Sequence, residues 1–282
     1  MSDINVNTRL LGLKDVQVHV RDSGGEGRPV VLIHGWPLSS ASWSEQFPVL
    51  EAASYRVVAY DRRGFGQSDK PSTGYDYDTF AEDLEGLLAV LDLNDVTLIG
   101  FSMGGGEVAR YIAKYGEARL HSVVFASSVT PFMMKSDDNP DGPLDEARAT
   151  KLIEDLTEDS SAFFDDFTKQ FFSPNGDGNI KVSEDVRLSA VEAAKQADPA
   201  AALASMKAFA MTDFRDDLTK ITVPTLVIHG DADAIVPFEG SGRLTHATIN
   251  HSELHTVANG VHGINASHTD EFNSALIEFL AK

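Results

Sequence analysis

Cysteine is absent from the 282-residue chain. Without it there are no disulfides, no thiolate metal sites and no Cys nucleophile. The absence fits a reducing compartment, and a cytoplasmic location is the expectation. Long apolar runs are missing too: none approaches the ~20 residues that a membrane-spanning helix needs. The opening Met-Ser-Asp-Ile-Asn-Val-Asn-Thr-Arg-Leu has neither the basic start nor the apolar stretch of a secretory signal. Positive charge is scarce. Lys and Arg number 23 against 43 Asp and Glu, a formal net charge of −20. A surface that negative repels phosphate backbones and anionic lipid headgroups, so neither nucleic acid nor a membrane surface is an expected partner. The sequence has no H-E-x-x-H pair and completes neither G-x-G-x-x-G nor a P-loop, so zinc-protease and nucleotide chemistry lack their residues. Asp137-Asp138-Asn139-Pro140-Asp141-Gly142 opens like a calcium loop, but Arg148 stands at the twelfth position, where a bidentate Glu is required. No metal and no cofactor is therefore expected.

What remains is an ordinary globular mixture, 42% hydrophobic and 23% charged, long enough for one large domain or a domain with an insertion. In the first half, short apolar runs alternate with helical patterns. The runs are Pro29 to Ile33, Val57 to Tyr60, Val96 to Ile99 and Val123 to Ala126, preceded by the alternating Val16, Val18 and Val20. Runs apolar on both faces suit strands of a parallel sheet covered by helices. Phe80, Leu84, Leu87, Leu88 and Leu91 fall on one helical face, as do Val108, Ile112 and Tyr115. This order predicts an α/β fold with a mostly parallel sheet. From about Thr130 to Leu218 strand character disappears, and helical segments such as Leu144 to Leu156 and Ser189 to Ala210 replace it. Strand character returns at Val223 to Ile228, and an amphipathic helix from Phe272 to Leu280 closes the chain. The expected organisation is a core domain of residues 1–129 and 219–282, interrupted by a helical cap at 130–218.

The strongest local signal is Gly100-Phe101-Ser102-Met103-Gly104, after an expected strand and before an expected helix. That context is what a G-x-S-x-G nucleophile elbow requires: small flanking residues let strand and helix approach while Ser102 projects. The helix N-terminus behind it offers free N–H groups to a developing anion. Serine is a weak nucleophile without a base, and the base needs an orienting acid. Downstream, Ile228-His229-Gly230-Asp231-Ala232-Asp233 sets two carboxylates just past a buried-type strand. Of the later histidines, His262 in Asn259-Gly260-Val261-His262-Gly263 is distinguished by the glycines that flank it and by its place after the expected last strand, Leu254 to Val257. His229, at a strand end, reads as a satisfied core histidine. Upstream, His34-Gly35-Trp36-Pro37 follows a strand, and the N–H groups of Trp36 and Met103 are candidates to hold a tetrahedral oxyanion together. Pro37 has no N–H to donate but restricts ψ of Trp36, which makes it a candidate for positioning a peroxide through the Trp36 carbonyl. Asp61-Arg62-Arg63-Gly64 reads as structural support for the rim of the site.

These stretches resemble the α/β-hydrolases. More narrowly, they are similar to the bacterial cofactor-free (non-haem) chloroperoxidase, perhydrolase and arylesterase group. The resemblance is carried by HGWP at 34–37, DRRGFGQSD at 61–69, GFSMGGGEVARYI at 100–112, PFMMK at 131–135 and TLVIHGDADAIVPFE at 225–239. It implies an α/β-hydrolase fold with a mostly parallel central sheet, flanking helices and a helical cap. It puts the nucleophile on Ser102, the base on His262, the acid on Asp233 rather than Asp231, and the oxyanion donors on Trp36 and Met103. One departure is visible: Val261 stands before the histidine, where the group often has Pro. The implied function is cleavage of small aryl or other carboxylic esters through an acyl-enzyme, with peracid formation from a carboxylic acid and hydrogen peroxide. Such a peracid oxidises halide off the enzyme. The expected partners are a small ester or acid and peroxide, and the sequence leaves a homo-oligomer open. Phe132, Phe163, Phe164, Phe171 and Phe172 are the candidate lining of an acyl pocket under the cap. The alternatives are a non-catalytic small-ligand receptor on the same fold, or a hydrolase of lactones or C–C bonds. Dehalogenases and epoxide hydrolases of similar build carry Asp where Ser102 stands.

Overall fold

In the computed structural model, which describes residues 7–282, a single sheet runs through the chain. Part of the opening stretch read for an export signal lies outside the described residues. The strands are β1 (Asn7–Gly12), β2 (Gln17–Asp22), β3 (Pro29–Ile33), β4 (Arg56–Tyr60), β5 (Val96–Phe101), β6 (Leu120–Ala126), β7 (Thr225–Gly230) and β8 (Glu253–Val257), and their order across the sheet is β1-β2-β4-β3-β5-β6-β7-β8. β1 and β2 pair antiparallel, and β2 meets β4 antiparallel. Every pairing from β4 to β8 is parallel.

The central strands are apolar on both faces because both faces are covered. Val31 and Ile33 of β3, Leu98 of β5 and Phe125 of β6 point into one core. Val30, Leu32, Ile99 and Val124, the alternate residues, point into the other. Helix α1 (Phe47–Ala52) covers the second face with Phe47 and Leu50. Helices α2 (Tyr77–Val90) and α3 (Met103–Tyr115) cover the first, α2 starting where the Asp76 side chain accepts the Thr79 N–H. Its buried stripe of Phe80, Leu84, Leu87 and Leu88 is the one its periodicity predicts.

Between β6 and β7 the chain is helical: α4 (Glu146–Glu158), α5 (Ser160–Phe171), α6 (Glu184–Lys195), α7 (Pro199–Met211) and α8 (Arg215–Leu218). The stretch Ser189 to Ala210, expected as one helical segment, is divided between α6 and α7. Asp198 is extended (φ −64°, ψ 132°), caps the Ala201 N–H, and is followed by Pro199 at the first helical position. A residue before proline is pushed out of the helical region, and Asp-Pro is a strong helix start. The calcium-like stretch serves the fold: Asn139 donates to the Phe132 and Met134 carbonyls, and Asp138 pairs with Arg215 at 2.9 Å. Helices α9 (Gly242–Thr248), α10 (Ile264–Ser267) and α11 (Thr269–Leu280) complete the chain, α11 packing Phe272 and Leu276 on the second face. Among the described residues no helix is long and apolar enough to cross a membrane.

The parallel strands end along one edge of the sheet. His34 follows β3, Asp61 follows β4, Ser102 follows β5, Asp233 lies just beyond β7, and His262 lies beyond β8. The carboxyl ends of parallel strands are where α/β sheets gather their functional groups.

Candidate active site

The turn from β5 to α3 is as tight as its glycines allow. A Cβ on Gly100 would stand 2.5 Å from the Gly104 carbonyl oxygen, and one on Gly104 would stand 2.6 Å from that of Ile33. Ser102 between them has φ 54° and ψ −117°, a conformation that costs a non-glycine residue about 1–3 kcal/mol and survives only where its surroundings impose it. Those surroundings include the Ser102 N–H donating to Ala126 at 2.8 Å.

Ser102 Oγ lies 2.9 Å from Nε2 of His262, and Nδ1 of His262 lies 2.7 Å from Oδ2 of Asp233. All three side chains are buried. Phe101 lies tilted over the His262 ring at 5.2 Å and Phe171 meets it edge-on at 4.8 Å, so the imidazole is held between carbon surfaces. The other carboxylate oxygen of Asp233 accepts the N–H groups of Ile235 at 2.9 Å and Val236 at 2.8 Å. Burial alone would raise the Asp233 carboxyl, but His262, His229 and their hydrogen bonds hold it well below the usual carboxylate range. Asp231 does different work: it is exposed and accepts the Asn259 N–H at 2.6 Å, bracing the loop that carries His262. An ionised carboxylate on Nδ1 fixes the tautomer in which Nε2 is free to accept a proton from Ser102.

The His34–Pro37 turn packs directly on this line. A Cβ on Gly35 would stand 2.8 Å from the Phe101 ring and 3.0 Å from Cβ of Ser102. Neither the Trp36 nor the Met103 backbone N–H has a protein acceptor among the described residues. The Trp36–Pro37 peptide is cis. His34 is fully buried, with Nδ1 2.8 Å from the Gly35 carbonyl and Nε2 accepting the Arg62 N–H at 3.0 Å. Burial, with the Arg62 guanidinium beside it, pushes its pKa down to about 3. The ring is therefore neutral, with its proton on Nδ1.

Asp61-Arg62-Arg63 forms the supporting layer. Asp61 accepts the Ser40 and Gln67 N–H groups at 2.7 and 2.8 Å. Arg62 donates to the His34 carbonyl at 3.0 Å and to Glu107 of α3 at 2.7 Å, and Tyr60 donates to the same Glu107. Tyr77 donates to the Met103 carbonyl at 3.1 Å. The turn at 34–37 and the helix behind Ser102 are thus tied to one buried network.

A cavity of about 450 Å³ opens onto Ser102. Trp36, Phe163, Phe167, Met206 and Phe209 form much of its apolar lining, while Arg148, Asp155, Glu158 and Asp166 add charge. Of the five phenylalanines expected to line a pocket, Phe163 does so and the other four do not. Phe163, Asp166, Phe167 and Gln170 share the face of α5 turned to the cavity. Phe164 and Phe171 fall on a different, buried face: Phe164 packs on Trp36 at 6.0 Å, and Phe171 backs His262. Phe172 meets Phe171 edge-on at 4.8 Å, and Phe132 lies under the Arg215 guanidinium while its neighbour Met133 lines the cavity. Phe167 and Phe209 were not anticipated; the spacing of Phe163 and Phe167, one helical turn apart, was the available signal for the first. His34, Tyr77 and Glu107 were also missed, since His34 and Tyr77 act through backbone contacts and Glu107 through the Arg62 and Tyr60 side chains, none of which a local motif records.

The fold and this site define a hydrolase of the α/β type. The family model for the alpha/beta hydrolase fold matches residues 28–269, and the chain belongs to that family. Within it, the chain resembles the non-haem chloroperoxidases. It is 44% identical to a non-heme chloroperoxidase of Kitasatospora aureofaciens, covering 95% of this chain and 97% of that one. It is 35% identical to a bifunctional esterase/perhydrolase of Acinetobacter calcoaceticus, covering 94% and 96%. A crystal structure of a bromoperoxidase from Bacillus anthracis superposes with a TM-score of 0.94 at 50% identity, covering 99% of this chain and 100% of that one.

Proposed function

We propose that this protein is a serine esterase that works through an acyl-enzyme and also forms peracids from carboxylic acids and hydrogen peroxide. The observation that carries the reading is the buried hydrogen-bonded line Ser102–His262–Asp233. Ser102 Oγ attacks the acyl carbon while His262 Nε2 takes its proton and Asp233 steadies the imidazolium. The N–H groups of Trp36 and Met103 receive the oxyanion. Collapse expels the alcohol, which leaves with the proton held by His262. Water or hydrogen peroxide then attacks the acyl-enzyme, gives its proton to His262, and releases Ser102 with an acid or a peracid as product. Starting from a protonated carboxylic acid, the same steps expel water and give the peracid, and the released peracid oxidises halide in solution. Support for the peroxide arm comes from the likeness to an esterase/perhydrolase and to non-haem haloperoxidases. The side chains carry every proton transfer, so the reading assigns no resident metal or cofactor.

The helices of residues 130–218 act in this reading as a cap, with α4, α5 and α7 walling an acyl pocket that is roomier than acetate needs. Turnover of aryl esters of increasing acyl size, each assayed with and without peroxide, tests the reading. Phosphonate labelling of Ser102 should accompany turnover, and Ser102→Ala should abolish both while the thermal unfolding curve stays in place. Losing one member of such a triad leaves only the ~10³–10⁴-fold advantage over water that binding and the oxyanion site supply. A folded wild type that neither turns over aryl esters nor takes the label overturns it.

A further inference from the structure

His229 is the penultimate residue of β7, fully buried, and its Nε2 lies 2.8 Å from the Val236 carbonyl and 3.3 Å from Oδ2 of Asp233. A carbonyl only accepts, so Nε2 carries the proton. That proton is bonded to the Val236 carbonyl, and the nitrogen that carries it stands 3.3 Å from the same carboxylate oxygen that receives Nδ1–H of His262. The other ring nitrogen has no partner. It is wedged against α9, where a Cβ on Gly242 would stand 2.5 Å from it, so a second proton there would find no acceptor. Val236 closes the arrangement: its N–H donates to Asp233 Oδ1 and its C=O receives His229, and the same residue lines the cavity. A core histidine needs none of this, and leaving Nδ1 buried without a partner is a cost.

We infer that His229 is a positioning residue for the Asp233–His262 pair, an N–H dipole beside Oδ2 that restrains both the orientation and the basicity of the carboxylate. The inference rests on the reading of Asp233 as the orienting acid. Oδ1 already serves the Ile235 and Val236 N–H groups, and an Oδ2 with a second N–H beside it holds its charge less available to His262. The groups around the pair are few. Asp233 is faced by His262 and His229 and by the Ile235 and Val236 N–H groups; His262 by Ser102, Phe101 and Phe171; His229 by the Phe238 ring at 5.7 Å and by Gly242. Asp231, in the same loop, is exposed and turned to Asn259.

Three substitutions separate a tuning role from a packing role. His229→Phe removes the donor and keeps a ring. His229→Asn places an amide near the Nδ1 position, short of Asp233. His229→Gln places an amide nitrogen where Nε2 stood. The acid limb of the kcat/KM profile for an aryl acetate is measured for each, together with the pH dependence of phosphonate labelling, which needs no turnover. Without the donor the carboxylate is more basic and the imidazolium more stable, so the limb moves to higher pH. The expected shift is about 0.5–1 pH unit in the Phe and Asn variants, less than the ~1–2 units that a full hydrogen bond to a charged group is worth, with His229→Gln close to wild type. In an Asp233→Asn background the shift should vanish. Folded Phe and Asn variants with unmoved limbs overturn the inference, as does a Gln variant that shifts as far as they do. If Asp233→Asn itself leaves activity and labelling intact, the reading of the acid fails instead, and the two failures are distinguishable.

Discussion

Nδ1 of His34 holds the carbonyl of Gly35 at 2.8 Å, and that carbonyl shares a rigid peptide plane with the N–H of Trp36. Whatever fixes one end of the plane aims the other. The Leu38 N–H also donates to the Gly35 carbonyl, at 3.0 Å, so the plane is pinned from within its own turn as well as by the buried ring. His34 in turn is pinned by the Arg62 N–H, which leaves it a single tautomer.

His34→Leu should therefore lower kcat for ester cleavage much more than it raises KM, because an oxyanion donor acts in the transition state and not on bound ester. Removing one such donor outright costs about 10²–10³ in kcat. Misaiming it, with the Leu38 contact retained, should cost less, on the order of tenfold. Steady-state kinetics on a folded variant check this; an unchanged kcat removes the peptide from the mechanism.

The same histidine makes stability depend on pH. Its folded pKa is about 3, below the ~6.5 of an unfolded histidine, so between these values the unfolded chain binds the extra proton. Its contribution is full above pH ~6.5 and is lost as pH falls toward 3, over a window amounting to a few kcal/mol at most. Chemical denaturation of wild type and His34→Gln from pH 7 to 4 should show a shallower loss in the variant. Parallel curves would show that the unfolding free energy does not depend on this ring.

Asp233→Asn should reduce kcat far more than Asp231→Asn, since only Asp233 meets His262. A triad Asp-to-Asn change costs about 10⁴ in kcat by favouring the wrong imidazole tautomer. Asp231→Asn should show chiefly a small loss of stability, because its carboxylate serves the Asn259 backbone. Comparison of kcat and Tm for the pair decides it, and the reverse ranking would exchange the two assignments.

Pro37→Leu should lower perhydrolysis relative to hydrolysis. The residue directly follows Trp36, which lines the cavity beside Ser102, and is no member of the triad. The ratio of the two kcat/KM values in wild type and variant is the measurement. An unchanged ratio with both activities present would leave Pro37 with the turn alone.

The elbow was legible along the chain because everything it needs is local. A strand, two glycines set by close backbone approach, and a helix fall within about a dozen residues. The doubly covered sheet was legible for a similar reason, since Val30 to Ile33 and Val96 to Ile99 have no polar face to offer water. Composition was enough to set cysteine chemistry aside. The choice between Asp231 and Asp233 was not composition or local pattern: it came through resemblance, and in space it turns on which side chain meets a ring 29 positions further on. The lining of the cavity was decided only by packing. Periodicity groups Phe163 with Phe167 and Phe164 with Phe171, but it does not say which group faces the core and which faces the cavity, because the rotation of α5 is set by packing on residues far away in sequence, Phe171 lying against Phe101 and His262. His34 and His229 were legible as residues at strand ends and no more. The Arg62 N–H reaches the His34 ring only when β3 and β4 stand side by side, and Gly242 of α9 walls the His229 ring only when the chain folds back over β7.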